Sequence, residues 1–190
     1  MKHWIFGYGS LICADSRART GVTGEALPVV LQGFERSWSV PIASADLSVV
    51  GIQRQADQRT GGVIFPLSDS ELKHFDAREV EYERVPLARD HLQLLREQPM
   101  PDGDFWVYLP QPSTSEHPIA QSYLDVILHG CIQESMDFAR HFLQHTSGWK
   151  LRLNDREAPL YPRPLNPKQQ VVLPLIDHLL EEAGPLITPN

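Results

Sequence analysis

Six residues near the N-terminus, Phe6-Gly7-Tyr8-Gly9-Ser10-Leu11, are the densest chemical signal in the chain. The apolar run Trp4-Ile5-Phe6 enters two glycines one residue apart, and glycines, having no Cβ, let main-chain N–H groups close on an anion. Three familiar turns do not fit. A dinucleotide fingerprint needs glycine at position 12, where Ile12 stands. A P-loop needs Gly-Lys-Ser/Thr, and a hydrolase elbow needs glycines at 8 and 12, where Tyr8 and Ile12 occur. A second signal is acidic. Glu79, Glu81 and Glu83 share a parity and would face one side of an extended segment, and a carboxylate can carry a proton in general acid–base chemistry. Most such glutamates are simply solvated. His141 and His145 stand i, i+4, the spacing of two zinc ligands, but Phe-Leu-Gln lies between them without the glutamate of His-Glu-x-x-His, and no third ligand is indicated. They read as helix-surface histidines. Cys13 lies just past the glycine turn without a cysteine-enzyme signature and reads as a buried structural thiol, as does Cys131 in a helical apolar stripe.

The elements that must position these groups are legible from periodicity. Trp4 to Phe6 is a short buried strand, and Leu11 to about Arg19 holds a short helix or turn. Leu27–Gly33, Phe34–Val40, Leu47–Gln53 and Gly62–Leu67 are β-rich runs. Ser68 caps a helix whose apolar face includes Leu72 and Phe75. After Glu79 the chain is extended through Val85 and Leu87 towards Leu95, and Phe105–Leu109 is a last aromatic strand. Six or seven strands around one helix, without strand–helix alternation, predict a mixed, barrel-like sheet rather than a doubly wound parallel one. Residues 110–118 form a loop by composition. From about 118 the chain becomes helical: Tyr123, Ile127, Cys131, Phe138 and Phe142 recur near helical spacing, with a break expected at Gly130. Residues 149–167 are proline-rich and irregular. Asn154-Asp155-Arg156 and Tyr161-Pro162-Arg163 there are expected as a packed loop held by Arg–Asp contacts, though Tyr161 or Arg163 could line the leaving-group side of a pocket. A helix over Val171–Ala183 stops at Gly184-Pro185, and the tail from Pro185 is expected to fray. The chain reads as a single domain over 1–190.

Gly7-Tyr8-Gly9-Ser10-Leu11 after an N-terminal strand resembles the signature of the γ-glutamylcyclotransferase-like family. Gly33-Phe34-Glu35-Arg36-Ser37-Trp38 is similar to the second strand of the glutathione-specific branch. Phe75-Asp76-Ala77-Arg78-Glu79 with Tyr82 resembles the segment that carries the family's catalytic glutamate, and Tyr123 to Gly130 its downstream Tyr-x6-Gly helix. The resemblance implies an α+β fold with a mixed β-barrel and flanking helices, and cofactor-free, metal-free release of 5-oxoproline from a γ-glutamyl compound. It implies Glu79 as the catalytic residue, Phe6, Gly7, Tyr8, Gly9, Ser10 and Leu11 as the substrate cradle, and Tyr123 as an auxiliary contact. Many relatives have glycine soon after the glutamate, where this chain has Val80-Glu81, so Glu81 is the alternative base. A non-catalytic metabolite-binding module on the same fold is the alternative function.

The chemistry asks little of a protein. The substrate's α-amino group attacks its own γ-carbonyl, and well-held intramolecular attack reaches effective molarities of about 10⁵–10⁸ M. A proton must leave an amine of pKa near ~8 for a glutamate near ~4.3, a mismatch of about 5 kcal/mol. Burial of the carboxyl narrows that gap, so Glu79 is expected at a cavity wall with a raised pKa. Bulk properties agree with a small-molecule enzyme. The net charge of −7 over 190 residues, with Lys and Arg scattered, disfavours nucleic-acid and anionic-membrane partners. Two cysteines build no disulfide framework, and no apolar run has the length of a membrane span or leader, so a cytoplasmic protein is expected. Leaving group and oligomeric state stay open.

Overall fold

A computed structural model of the chain describes residues 2–184. Nine strands and five α-helices are formed among them. Strand β1 (His3–Gly7) leads through the glycine turn and a single 3₁₀ turn (Ser10–Ile12) into α1 (Ala14–Ala18). Two long strands follow, β2 (Leu27–Ile42) and β3 (Leu47–Leu67), then α2 (Asp69–Arg78), β4 (Tyr82–Leu87), β5 (Leu92–Leu94) and β6 (Asp104–Pro110). The remainder holds β7 (Ile119–Ala120), α3 (Gln121–Glu134), α4 (Met136–Gln144), β8 (Thr146–Ser147), β9 (Arg152–Leu153) and α5 (Leu173–Ala183).

The main sheet runs β4-β6-β1-β3-β2-β5, with β8 added beside β2. It is mixed: β1 lies parallel to β6 and antiparallel to β3. The expected mixed sheet with flanking helices therefore forms. Among the described residues no strand pairing joins β4 to β5, so the sheet has two edges rather than a closed ring. The two β-rich runs expected on either side of Gly33 form one strand, interrupted by register shifts at Gln32/Phe34 and Ser37/Val40. The two runs expected from Leu47 to Leu67 are likewise one strand. Their polar middle, Gln53–Arg59, is exposed; Gln53, Arg54 and Arg59 still pair with β2 through main-chain bonds, which have no need of an apolar face.

The capping expected at Ser68 is present: its hydroxyl accepts from the Glu71 amide at 3.3 Å, and Leu72 and Phe75 of α2 are buried. Phe75 packs on Phe65 of β3 with ring centroids 5.4 Å apart, which fixes where the C-terminal end of α2 emerges. The break expected at Gly130 does not occur there. α3 runs through Gly130 to Glu134, and Ser135 separates it from α4 by capping Phe138. Gly130 serves a close approach instead, since a Cβ there would lie 2.5 Å from the Cys13 backbone. α3 is thus pressed onto the segment that leaves the glycine turn. α5 begins at Leu173 after a 3₁₀ turn at Gln170–Val172. The expectation of a fraying tail from Pro185 falls outside the described residues. No helix among the described residues is long and apolar enough to cross a membrane.

Candidate active site

The glycine turn, the C-terminal end of α2, the first turn of α3 and the loop after β9 enclose a cavity of about 290 Å³. All eight residues singled out in the sequence, Phe6 to Leu11, Glu79 and Tyr123, line it. The turn is held by two internal bonds, from the Ile12 amide to the Gly9 carbonyl and from the Cys13 amide to the Ser10 carbonyl. The amides of Tyr8, Gly9, Ser10 and Leu11 have no main-chain acceptor among the described residues. Four neighbouring donors in one cavity wall make a seat for a carboxylate or oxyanion.

Gly9 sits where a side chain has no room: a Cβ would lie 2.8 Å from Val50 Cγ2 and 3.0 Å from the Tyr123 hydroxyl. Gly9→Ala is expected to cost about 1–3 kcal/mol of stability, as overpacking does, and to push Tyr123 out of place. Urea denaturation with a ligand titration checks both.

Glu79 is the C-cap of α2, and its amide donates to the Phe75 carbonyl. It stands at a helix end whose direction the buried Leu72 and Phe75 set. Its side chain is 15% exposed and pairs with Arg78 Nε at 2.9 Å. Burial raises the Glu79 pKa above the ordinary value of 4.5, and Arg78 and Arg163 offset part of that rise. Glu81 lies outside the cavity lining and is exposed. Glu79, Glu81 and Glu83 do not share a strand face, because Glu79 ends the helix and β4 begins only at Tyr82.

Arg78 was not anticipated. A basic residue in the last turn of a helix ordinarily reads as a partner for the helix dipole. Here it is a hub. Nη2 donates to Ser10 Oγ at 3.0 Å, Nη1 donates to Thr20 Oγ1 at 2.7 Å and to the Ser16 carbonyl at 3.1 Å, and Nε faces Glu79. One guanidinium therefore ties the glycine turn and the α1 region to the carboxylate.

A shell of phenols surrounds Glu79. Tyr8, Tyr82, Tyr108 and Tyr123 have raised pKa values, through burial first and repulsion from Glu79 among the further causes, so each keeps its proton. The Tyr8 hydroxyl donates to the Tyr108 carbonyl at 2.9 Å, and the Tyr108 hydroxyl donates to Asp76. Tyr123 sits edge-on to Trp38, ring centroids 5.9 Å apart, and 4.9 Å from Tyr161.

The loop expected as a packed strap is one, and it also reaches the cavity. Asp155 accepts from the Ser122 amide and hydroxyl at the start of α3 and from the Leu160 amide. Arg156 pairs with Asp125 and Asp177, each at 2.7 Å. Fastened so, the loop presents Tyr161, Pro162 and Arg163 to the cavity.

His141 and His145 stack with centroids 3.9 Å apart near Arg36, away from the cavity, and burial with the neighbouring His145, Arg36 and Arg59 lowers the His141 pKa to about 4. Among the described residues one group has metal-ligand character: Cys13, Asp15 and His129, donor atoms within 4.8 Å of each other. It lies outside the cavity lining, Cys13 is buried, and its thiol is pushed up by that burial.

No protein-family model matches the sequence, and no curated protein matches it. Solved structures do. The chain is similar to a protein named gamma-glutamyl cyclotransferase with a TM-score of 0.63 and 14% identity, over 92% of this chain and 99% of that one. An uncharacterized Homo sapiens protein aligns with a TM-score of 0.61 and 13% identity, over 91% and 98%. YkqA from Bacillus subtilis aligns at 0.52 and 18%, over 77% of this chain and 56% of its own. At these identities the likeness is one of fold. The α+β fold of this chain is the γ-glutamyl cyclotransferase-like fold.

Proposed function

We propose that the chain is a γ-glutamyl cyclotransferase that releases 5-oxoproline and a free amine, amino acid or peptide, with Glu79 as its proton shuttle. One observation carries the reading: a partly buried carboxylate and four main-chain amides without main-chain acceptors among the described residues line the same small cavity. The amides receive the substrate's α-carboxylate or the oxyanion that develops on the γ-carbonyl. Glu79 takes a proton from the α-ammonium. The freed amine attacks the γ-carbonyl carbon, a C–N bond closes the five-membered ring, and the original γ C–N bond breaks. The proton held by Glu79 passes to the leaving nitrogen; Glu79 then takes the second proton that the ring nitrogen must lose and gives it to the freed amine, which departs as an ammonium, so the enzyme ends as it began. Tyr123, with its proton retained, is a hydroxyl contact beside the turn. A cytoplasmic setting suits the two free buried cysteines.

Incubation with a panel of γ-glutamyl amino acids, glutathione and γ-glutamyl amines, followed by 5-oxoproline determination, tests this reading. Release from any of them supports it. Tight binding without release from any marks a metabolite-binding module instead.

The acidic limb of the pH–kcat/KM profile supplies an independent check. Glu79 accepts a proton only when ionised, so activity is present above its pKa and lost as pH falls through it. Because burial raises that pKa, the midpoint is expected above 4.5. Stability runs the other way. A carboxyl with a raised folded-state pKa contributes fully below its unfolded value, and that contribution is lost as pH rises through the folded one. Denaturation of wild type and Glu79→Gln across this window should show a difference in stability that grows with pH in favour of Glu79→Gln.

A further inference from the structure

The charged groups in the cavity lining are Arg78, Glu79 and Arg163. Arg78 is consumed internally: Nε, Nη1 and Nη2 all have partners within the protein, Glu79 among them. Arg163 is not. Its Nη1 donates to Thr20 Oγ1 at 3.0 Å, while Nε and Nη2 have no protein acceptor among the described residues. The cavity thus carries one excess positive charge, and it is a planar fork suited to a carboxylate. The fork is held in place rather than waving from a surface. Asp155 anchors its loop to the start of α3, Tyr161 packs on Tyr123, and Thr20, which fixes Arg163, is itself fixed by Arg78.

A γ-glutamyl amine has an ammonium and one carboxylate and is neutral overall. A γ-glutamyl amino acid or peptide adds a second carboxylate behind the scissile bond and has a net charge of −1. The glycine-turn amides accommodate one carboxylate. Resting on the cyclotransferase reading, we infer that Arg163 forms a second carboxylate subsite, which receives the leaving group and makes this chain selective for γ-glutamyl amino acids or peptides over γ-glutamyl amines. Arg163 also lies near enough to Glu79 to lower its pKa, so the leaving group bound there is close to the proton it must receive.

Calorimetric binding to Glu79→Gln protein, in which turnover is expected to be slowed enough for substrate binding to be read, tests the inference. The probes are a γ-glutamyl amino acid and the γ-glutamyl amine that lacks only its carboxylate. The acid is expected to bind about 10–100-fold more tightly, the range of one to two charge-assisted hydrogen bonds. Adding Arg163→Met should erase the preference while leaving amine affinity unchanged, and Arg163→Lys, which keeps the charge without the fork, should retain part of it. Equal binding of the two probes, a preference that survives Arg163→Met, or no binding of either would overturn the subsite. A loss of equal size for both probes would also overturn it, by assigning Arg163 to the glutamyl carboxylate. The cyclotransferase reading is judged separately on wild-type 5-oxoproline release. A protein with the Arg163-dependent preference and no release keeps the subsite and loses the reaction.

Discussion

Glu79→Gln is expected to lower 5-oxoproline release by about 10²–10⁴-fold, the contribution of a positioned general acid–base group. Gln keeps the size of the side chain and can still accept a hydrogen bond from Arg78, so the α2 terminus and the cavity should persist. What is lost is the ability to hold a proton between the α-ammonium and the leaving nitrogen. Substrate affinity should change little, because the amides of the glycine turn and the arginine fork are untouched. The deficit should therefore appear in kcat rather than KM. Glu81→Gln is the matched control. Glu81 is exposed and outside the cavity lining, so that variant should turn over at the wild-type rate. A fully active Glu79→Gln enzyme would remove the assignment, and a silent Glu81→Gln enzyme would transfer it.

Arg36→Met should destabilise the fold substantially, although it replaces a buried charge with an apolar side chain. Arg36 is wholly buried and has no carboxylate partner among the described residues. Its donors reach Thr146 Oγ1 at 2.8 Å, the Gly61 carbonyl at 2.6 Å, the Tyr8 carbonyl at 3.3 Å and the Phe142 carbonyl at 3.4 Å. Its guanidinium lies 4.0 Å from the centroid of the Phe142 ring. Two effects oppose. Burial lowers the Arg36 pKa from 12.5 to about 10, a penalty of about 3 kcal/mol at ~1.36 kcal/mol per unit that an apolar side chain would relieve. Against it, the Tyr8 and Gly61 carbonyls lose a buried donor at about 1–3 kcal/mol each, and a desolvated cation–π contact of about 2 kcal/mol disappears. The Phe142 carbonyl is spared, since Thr146 Oγ1 also donates to it. The balance is a net loss of about 3 kcal/mol, readable as a lower urea midpoint at unchanged slope. Activity should fall beyond what unfolding explains, because the Tyr8 carbonyl is one of the points where the core holds the glycine turn. A variant as stable as wild type would show that the penalty of the buried charge outweighs its contacts.

The groups expected to do chemistry were legible where they lie close in sequence or where a local rule applies. The glycine turn follows a buried strand, Ser68 caps α2, and Glu79 ends that helix, all within a few residues of their signals. The groups that were not legible depend on contacts between distant segments. Arg78 reads locally as a helix-dipole partner, and only Ser10, Ser16 and Thr20, roughly sixty residues earlier, make it a hub. Arg163 was legible only as one of two alternatives, with Tyr161, within a proline-rich loop, and it is Asp155 fastened to Ser122 that aims it at the cavity. Gly130 looked like a helix break because an isolated glycine weakens a helix, but the nearby Cys13 backbone gives it a packing reason that no helical periodicity encodes. The parity of Glu79, Glu81 and Glu83 misled for a related reason: alternation describes a strand, and the strand starts only at Tyr82.

The sequence alone determined the mixed α+β architecture, the glycine turn and the acidic group at the end of α2, because these follow from backbone preferences and apolar periodicity over short spans. Tertiary structure decided which glutamate faces the turn, which arginine stays uncommitted, and what the C-terminal loop covers. Those outcomes depend on burial and on partners supplied by segments tens of residues away, and neither is written into local residue patterns.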